Sequence, residues 1–318
     1  MIDISIIVLS YNTQALTLQC LKSVQEACKA VSAEVFVVDN ASSDGSVEQI
    51  QKRFPFVKII CNKENLGYAR ANNQAIKASI GGIKLLLNSD TKLYADALQQ
   101  IIEGFDYLPN IGVVGPLLLN DDHSIQPSYG KFTSVTTEFL FQSFLFKLIP
   151  TSFVVGNTIH PIQKKNYQAP HSVDWITGAC FAIRSDVIDK VGLLPEDLFM
   201  YGEDIEWCWR VRESGFQVLH WPQANVFHYS RQSSRKNYTR WIDNYTNGQL
   251  IFALKHLNPV QTRFIGLLTS AGALFRVFLW AVIRLLQPKR KLECDQRIEG
   301  YVKAYRLGIK VFISGRLN

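Results

Sequence analysis

The sequence has no glycine-rich phosphate loop. The turn after its first apolar run reads Ser10-Tyr11-Asn12-Thr13-Gln14-Ala15, without the glycines that let a backbone approach a pyrophosphate, which argues against a dinucleotide-dependent oxidoreductase. There is no Walker segment either, which argues against ATP-driven chemistry. The first half lacks a basic stripe interleaved with exposed aromatics, so nucleic acid is a poor candidate partner. The six cysteines, Cys20, Cys28, Cys61, Cys180, Cys208 and Cys294, have neither paired nor metal-ligand spacing. The N-terminal Met1-Ile2-Asp3-Ile4-Ser5-Ile6-Ile7 lacks the basic region and cleavage site of a signal peptide. Both features predict a reducing, cytoplasmic setting.

What the chain does contain is enough apolar material for a large core: 318 residues, 47% hydrophobic and 12% aromatic. Its net charge of +7 predicts an anionic partner, a condition that nucleic acid, nucleotide and acidic lipid all satisfy. Short β-branched runs at Ile4–Leu9, Glu34–Val38, Val57–Ile60 and Ile83–Leu87 read as strands. Between them Leu16, Cys20, Leu21 and Val24 keep helical spacing, as do Ala69, Asn73, Ile76 and Ile80. A β-α-β-α order of this kind predicts a doubly wound α/β domain with a mostly parallel sheet.

Each strand ends in a polar cluster: Ser10-Tyr11-Asn12, then Asp39-Asn40 with Asp44-Gly45, then Asn62 and Asn65-Leu66-Gly67, then Asn88-Ser89-Asp90. Any one of these is explained by ordinary turn chemistry. Four in register predict a ligand crevice, because the carboxyl ends of parallel strands share one rim of the sheet.

The runs Ile7 to Asn12, Val37 to Ser46, Asn65 to Gln74 and Asn88 to Asp90, with Trp175 to Arg184 and Met200 to Trp207, together resemble the family-two inverting glycosyltransferases of the GT-A fold, in particular the rhamnosyltransferase-like subgroup. The resemblance covers about the first three quarters of the chain. It implies a nucleotide-sugar site built from Ser10, Tyr11, Asn12, Asp39, Asn40, Asn65, Gly67, Asn73, Asn88, Ser89 and Asp90, with Tyr11, Asn12 and Asp39 holding base and ribose. It also implies acceptor contacts at Trp175, Thr177 and Gly178. Where the family carries two or three acidic positions for its metal, this chain has the single carboxylate Asp90. A Mg²⁺ or Mn²⁺ ion can still be held if His228 supplies a second ligand, since such ions take one or two protein ligands plus phosphate oxygens.

Within Phe199 to Val211, Glu203, Asp204 and Glu206 lie among aromatics. A helix from about Asp204 through Ser214 accounts for Glu206, which can pair with Arg210 one turn on. The resemblance gives Asp204 the role of base, with Glu203 orienting the acceptor or the base.

Thr133 to Ile149 is rich in aromatics and precedes Lys164-Lys165; a core helix and a lip facing a lipid-linked acceptor are both expected readings. From Phe264 to Leu286 the chain is strongly apolar, interrupted by Arg276 and Arg284, so no charge-free run reaches the ~18 residues of a spanning helix. On a helical wheel Phe264, Leu267, Leu268, Ala271, Phe275, Phe278, Leu279, Val282 and Leu286 share a face, opposite Thr269, Arg276, Arg284 and Gln287. This predicts a helix lying in the headgroup plane at the inner face of the cell membrane, near Lys289-Arg290-Lys291. Packing on the catalytic domain or in a homodimer is the other reading.

The expected organisation is a GT-A domain over residues 1–258, with a nucleotide-sugar half at 1–115 and an acceptor half at 116–258, followed by a helical region at 259–318. The expected activity is metal-dependent inverting transfer of rhamnose from dTDP-rhamnose to a glycan on a lipid carrier in surface-polysaccharide assembly. Transfer from a UDP-hexose or UDP-N-acetylhexosamine, and a catalytically silent scaffold, are the alternatives.

Overall fold

The computed structural model describes residues 2–145, 167–229 and 237–317. Lys164, Lys165 and the stretch from Phe146 to Ile149 lie outside the described residues. The strands are β1 (Ile4–Ser10), β2 (Ala33–Asp39), β3 (Lys58–Cys61), β4 (Ile83–Asn88), β5 (Thr91–Leu93), β6 (Ile111–Leu119), β7 (Ile125–Gln126), β8 (Tyr129–Gly130), β9 (His171–Val173), β10 (Trp175–Ile176), β11 (Cys180–Arg184) and β12 (Gln217–His228). The helices are α1 (Gln14–Ala27), α2 (Ser46–Arg53), α3 (Tyr68–Ala78), α4 (Ala97–Phe105), α5 (Val135–Gln142), α6 (Ser185–Val191), α7 (Glu203–Glu213), α8 (Tyr238–His256), α9 (Pro259–Leu286) and α10 (Lys291–Ser314).

The main sheet runs β3-β2-β1-β4-β11-β6-β12-β5, with β7 on β6 and β9 on β12. The β3-β2-β1-β4 block is parallel, as expected. Strand β11 then enters antiparallel to both β4 and β6, and β12 returns to run parallel to β6. The central strands are mostly apolar and buried on both faces: Ile4, Ile6 and Val8 alternate with Ile7, Val37 with Val38, and Leu85 and Leu87 with Leu86. In α1 the buried residues include Cys20, Leu21 and Val24, the face that the spacing predicts. In α3 Ala69, Asn73 and Ile76 are buried, but the helix stops at Ala78, before Gly81-Gly82, and Ile80 is exposed. Its backbone N–H is instead donated to Glu34 Oε1 at 2.7 Å.

The chain parts into two compact units, one from the described residues of 1–130, 162–199 and 203–230, the other from those of 131–161, 200–202 and 231–318. The second therefore takes in α5 and α8 as well as the expected 259–318 region. Within it α9 and α10 approach so closely that a Cβ on Gly266 would lie 2.7 Å from the carbonyl oxygen of Gly308. Inside α9 the buried residues are Thr262, Ile265, Gly266, Thr269, Ser270, Gly272, Ala273 and Arg276. The face that the helical wheel marks as polar, at Thr269 and Arg276, is thus the inner one. Arg276 donates from Nη1 to Gln142 Oε1 at 2.6 Å and from Nη2 to the Phe141 carbonyl at 3.1 Å, and the buried Glu138 accepts from Thr269 and Gln142. These bonds satisfy polar groups that burial alone would make costly.

Candidate active site

The carboxyl ends of β1, β2 and β4 put Ser10, Asp39 and Asn88 side by side, with Ser10 opposite Asp39 and Leu9 opposite Asn88. The polar clusters at this rim divide into residues that build the loops and residues whose functional atoms stay available. Asn12, at φ 52°, accepts at Oδ1 from the Ser43 N–H at 2.8 Å, and its own N–H is donated to Ser42 Oγ at 2.9 Å, so it braces the β2–α2 loop. Asn40 donates to Asn65 Oδ1 and the Gly67 carbonyl and accepts from Asn62 and from the Leu66 N–H. Asn65 also accepts from the Gly67 N–H at 3.0 Å. Asn73 donates to the Leu194 carbonyl and Glu196 and accepts from the Leu194 N–H, tying α3 to the segment before α7. Ser10 and Ser89 hydrogen-bond to Thr17 and Thr13. These residues brace the loops of the rim.

Asp39 and Tyr11 are different. Asp39 is buried; its Oδ2 accepts from the Ser42 N–H at 2.9 Å, while Oδ1 is buried without a hydrogen-bond partner. An unpaired buried carboxylate oxygen is costly, and a base imide or ribose hydroxyl is a donor of the kind that it lacks. Tyr11, the residue after Ser10, which lies opposite Asp39 in the sheet, is exposed.

Gly67 sits at φ +83°, and a Cβ there would lie 2.4 Å from the Phe199 carbonyl oxygen, the same oxygen that accepts from the Tyr68 N–H at 2.9 Å. Gly67→Ala should therefore destabilise the fold by about 2–4 kcal/mol, from the left-handed backbone and the overlap together, with urea unfolding as the measurement.

Asp90 and His228, remote in sequence, meet at the rim: β12 pairs with β5 so that His228 lies opposite Thr91, and His228 Nε2 is 3.3 Å from Asp90 Oδ1. His228 Nδ1 is 2.6 Å from Gln126 Oε1. The orientation of that amide follows from its nitrogen, which donates to Asn120 Oδ1 at 2.8 Å and to the His228 carbonyl at 3.3 Å. Nδ1 must then carry the proton, and in the neutral ring Nε2 presents its lone pair to the Asp90 carboxylate. Two acceptors at this distance need a cation between them or a second proton on the ring. A carboxylate and an imidazole with their remaining positions open fit a Mn²⁺ or Mg²⁺ ion that completes its shell with diphosphate oxygens and water. Among the described residues no group of three or more His, Cys, Asp or Glu side chains converges on one point. Gln126 carries no motif signal; only the pairing of β7 with β6 brings it to His228.

The Glu-Asp pair opens α7, one residue earlier than expected, after Tyr201 at φ 70° and Gly202 at φ 98°. Asp204 is held at both oxygens: Oδ2 accepts from the Gly178 N–H and Oδ1 from the Ile205 N–H, each at 2.9 Å. The Gly178 carbonyl accepts from the buried Tyr68 hydroxyl at 2.6 Å, and a Cβ on Gly178 would lie 2.8 Å from that hydroxyl. Tyr68 thus fixes the peptide that fixes Asp204, a role its place after Gly67 does not announce. Thr177 continues this segment, its N–H donated to the Ser128 carbonyl. Trp175 is buried against Gly130, whose Cβ would lie 2.4 Å from the indole. Glu206 pairs with Arg210 as its spacing predicts, at 3.0 Å.

Glu203 is buried with Oε2 unpartnered, and burial, then the neighbouring Asp204 carboxylate, pushes its pKa up to about 8. Burial thus favours the neutral, protonated form of Glu203. Folded Glu203 holds that proton up to about pH 8, whereas in the unfolded chain it is released near 4.5, so stability falls as pH rises through this window. Glu203→Gln removes the titration. The variant should gain roughly 2–4 kcal/mol over the parent above the window and none below it, read from melting temperatures across pH.

A profile described as "Glycosyl transferase family 2" matches residues 5–192, more than half of the chain. An N-acetylglucosaminyl-diphospho-decaprenol L-rhamnosyltransferase of Mycobacterium tuberculosis is 25% identical over 215 residues, covering 64% of this chain and 68% of its own. A low-salt glycan biosynthesis hexosyltransferase of Haloferax volcanii is 24% identical over 303 residues, covering 91% of this chain and 86% of its own. Among solved structures, a mannosyltransferase from Pyrobaculum calidifontis in complex with GDP-Man and Mn²⁺ superposes with a TM-score of 0.53 at 16% identity, covering 98% of this chain and 87% of the other. The parallel β3-β2-β1-β4 block, its rim of polar loops and the matched family agree: the chain belongs to glycosyl transferase family 2 and is a glycosyltransferase with the GT-A fold.

Proposed function

We propose that the chain is a metal-dependent inverting transferase that moves rhamnose from dTDP-rhamnose onto a lipid-linked glycan at the inner face of the cell membrane. The observation that carries the mechanism is Asp204, whose two oxygens are fixed by backbone N–H groups beside the buried Glu203. A base must hold a set position within reach of the acceptor hydroxyl, and this carboxylate does so without side-chain freedom. Asp204 takes the proton as the acceptor oxygen attacks the anomeric carbon on the face opposite the leaving nucleoside diphosphate, which inverts that centre. Glu203, as an acid, donates a hydrogen bond to the acceptor or to Asp204. Asp39 Oδ1 receives a donor from the base or ribose, and Tyr11 covers it. Asp90 and His228 would hold a divalent cation, which when bound would supply positive charge for the departing diphosphate.

Rhamnose is favoured by the mycobacterial relative, an L-rhamnosyltransferase acting on a decaprenol-linked sugar. The archaeal relative, a hexosyltransferase matching over 91% of the chain, favours a hexose donor as the second reading. A calorimetric titration with dTDP, UDP, GDP and CDP, with and without Mn²⁺, separates them. Metal-dependent binding of dTDP in preference to the others is expected; preference for UDP or GDP would move the donor assignment to a hexose, and no binding by folded protein would overturn the transferase mechanism.

A further inference from the structure

We propose that the outer face of α9 is a docking surface for an anionic lipid bilayer, on which the helix lies in the headgroup plane. The surface follows from how α9 packs. Its inner face consists mostly of small or polar residues, because Gly266 and Ser270 meet Gly308 of α10 almost backbone to backbone. Such packing leaves no room for large side chains, so they point outward. Phe264, Leu267, Leu274, Phe278, Leu285 and Leu286 are exposed along one stripe of the helix, Phe278 to 68% and Leu285 to 78%. A continuous apolar stripe of this length on a folded protein marks an interaction site.

Charge selects the occupant. Residues 259–318 hold eleven Lys and Arg against three Asp and Glu, a net of +8, whereas residues 1–258 hold 23 against 24, a net of −1. All of the chain's excess positive charge is therefore on the two helices that carry the stripe and their ends. At one end the two features interleave, with Leu285, Leu286 and Leu292 exposed among Arg284, Lys289, Arg290 and Lys291. A second copy would set one positively charged 259–318 region against another, which an anionic leaflet does not.

The helix lies on the bilayer and does not cross it. By length and composition α9 is capable of spanning. Its inner face, however, holds the buried Arg276 and is locked to α10, which carries eight charged residues in 24 and cannot enter hydrocarbon beside it.

The full chain should co-float with vesicles of phosphatidylglycerol and phosphatidylcholine, roughly tenfold or more better than with phosphatidylcholine alone. Leu274→Glu with Phe278→Glu should reduce that partitioning about a hundredfold, because both side chains would otherwise enter the acyl boundary. Lys289→Gln with Lys291→Gln should reduce it about tenfold at low salt and less at high salt, and keeps the test decisive if the glutamate pair does not fold. Failure of the wild-type chain to float with either vesicle would overturn the proposal. So would equal flotation of both paired variants, or a dimer in equilibrium sedimentation that the glutamate pair dissociates without any vesicle binding. The readout involves no sugar transfer, so loss of nucleotide binding would count against the transferase mechanism alone.

Discussion

Asp204→Asn lowers the rate of transfer by roughly a thousandfold while leaving affinity for the nucleoside diphosphate unchanged, if Asp204 is the base. The amide has the size of the carboxylate but cannot take a proton, so the loss falls on kcat. The geometry adds a second consequence. Both Asp204 oxygens accept backbone N–H groups, from Gly178 and Ile205. An asparagine offers one oxygen, so its amide nitrogen must face one of these donors and leave it unpaired. A stability loss of about 1–2 kcal/mol should accompany the loss of rate. Tyr68→Phe acts one step further back: it frees the Gly178 carbonyl and should shift the pH profile of kcat without touching substrate. Turnover unchanged in Asp204→Asn, measured under single-turnover conditions, would remove Asp204 from the base's role.

His228→Ala weakens Mn²⁺-dependent binding of the nucleoside diphosphate by about a hundredfold, near 3 kcal/mol, and leaves the weak metal-free binding as it was. The prediction rests on the 3.3 Å approach of Nε2 to Asp90, which the imidazole and carboxylate make from β12 and the end of β4. Gln126→Leu tests the same site without removing a ligand. Its oxygen, 2.6 Å from Nδ1, holds the His228 tautomer that leaves Nε2 free, and losing such a partner costs roughly 10- to 100-fold in metal affinity. Equal titration curves with and without Mn²⁺ for the parent protein would refute the metal site, and a Gln126→Leu variant that binds like the parent would remove the tautomer argument.

Much of the first unit was legible in the chain. The apolar runs that became β1, β2, β3 and β4 are continuous because buried parallel strands have no solvent face, and their boundaries moved by one residue or so at most ends. The rim was legible too, since a parallel sheet places every polar strand end on one side. The roles within it were not. Asn12 stands in the sequence as a base-and-ribose residue alongside Asp39, yet like Asn40, Asn65 and Asn73 it braces loops while Asp39 keeps an unpartnered oxygen. That difference depends on where each side chain's partners lie in space.

The second unit shows the same limit in another form. A helical wheel separates the apolar from the polar side of Phe264–Leu286 correctly, but it cannot say which side the protein covers. Close packing needs small residues, and only the approach of Gly266 to Gly308 decides that Thr269 and Arg276 turn inward and Phe278 turns outward.

The sequence alone determined the order of the first four strands with α1 and α3, the polar rim at their carboxyl ends and, to within one residue, the start of α7, because each depends on local periodicity and spacing. The tertiary structure alone decided that Gln126 orients His228, that Tyr68 and Gly178 hold Asp204, and that Glu203 is buried, which raises its pKa. Those depend on contacts between residues 26 to 110 positions apart and on burial, which only the folded chain creates.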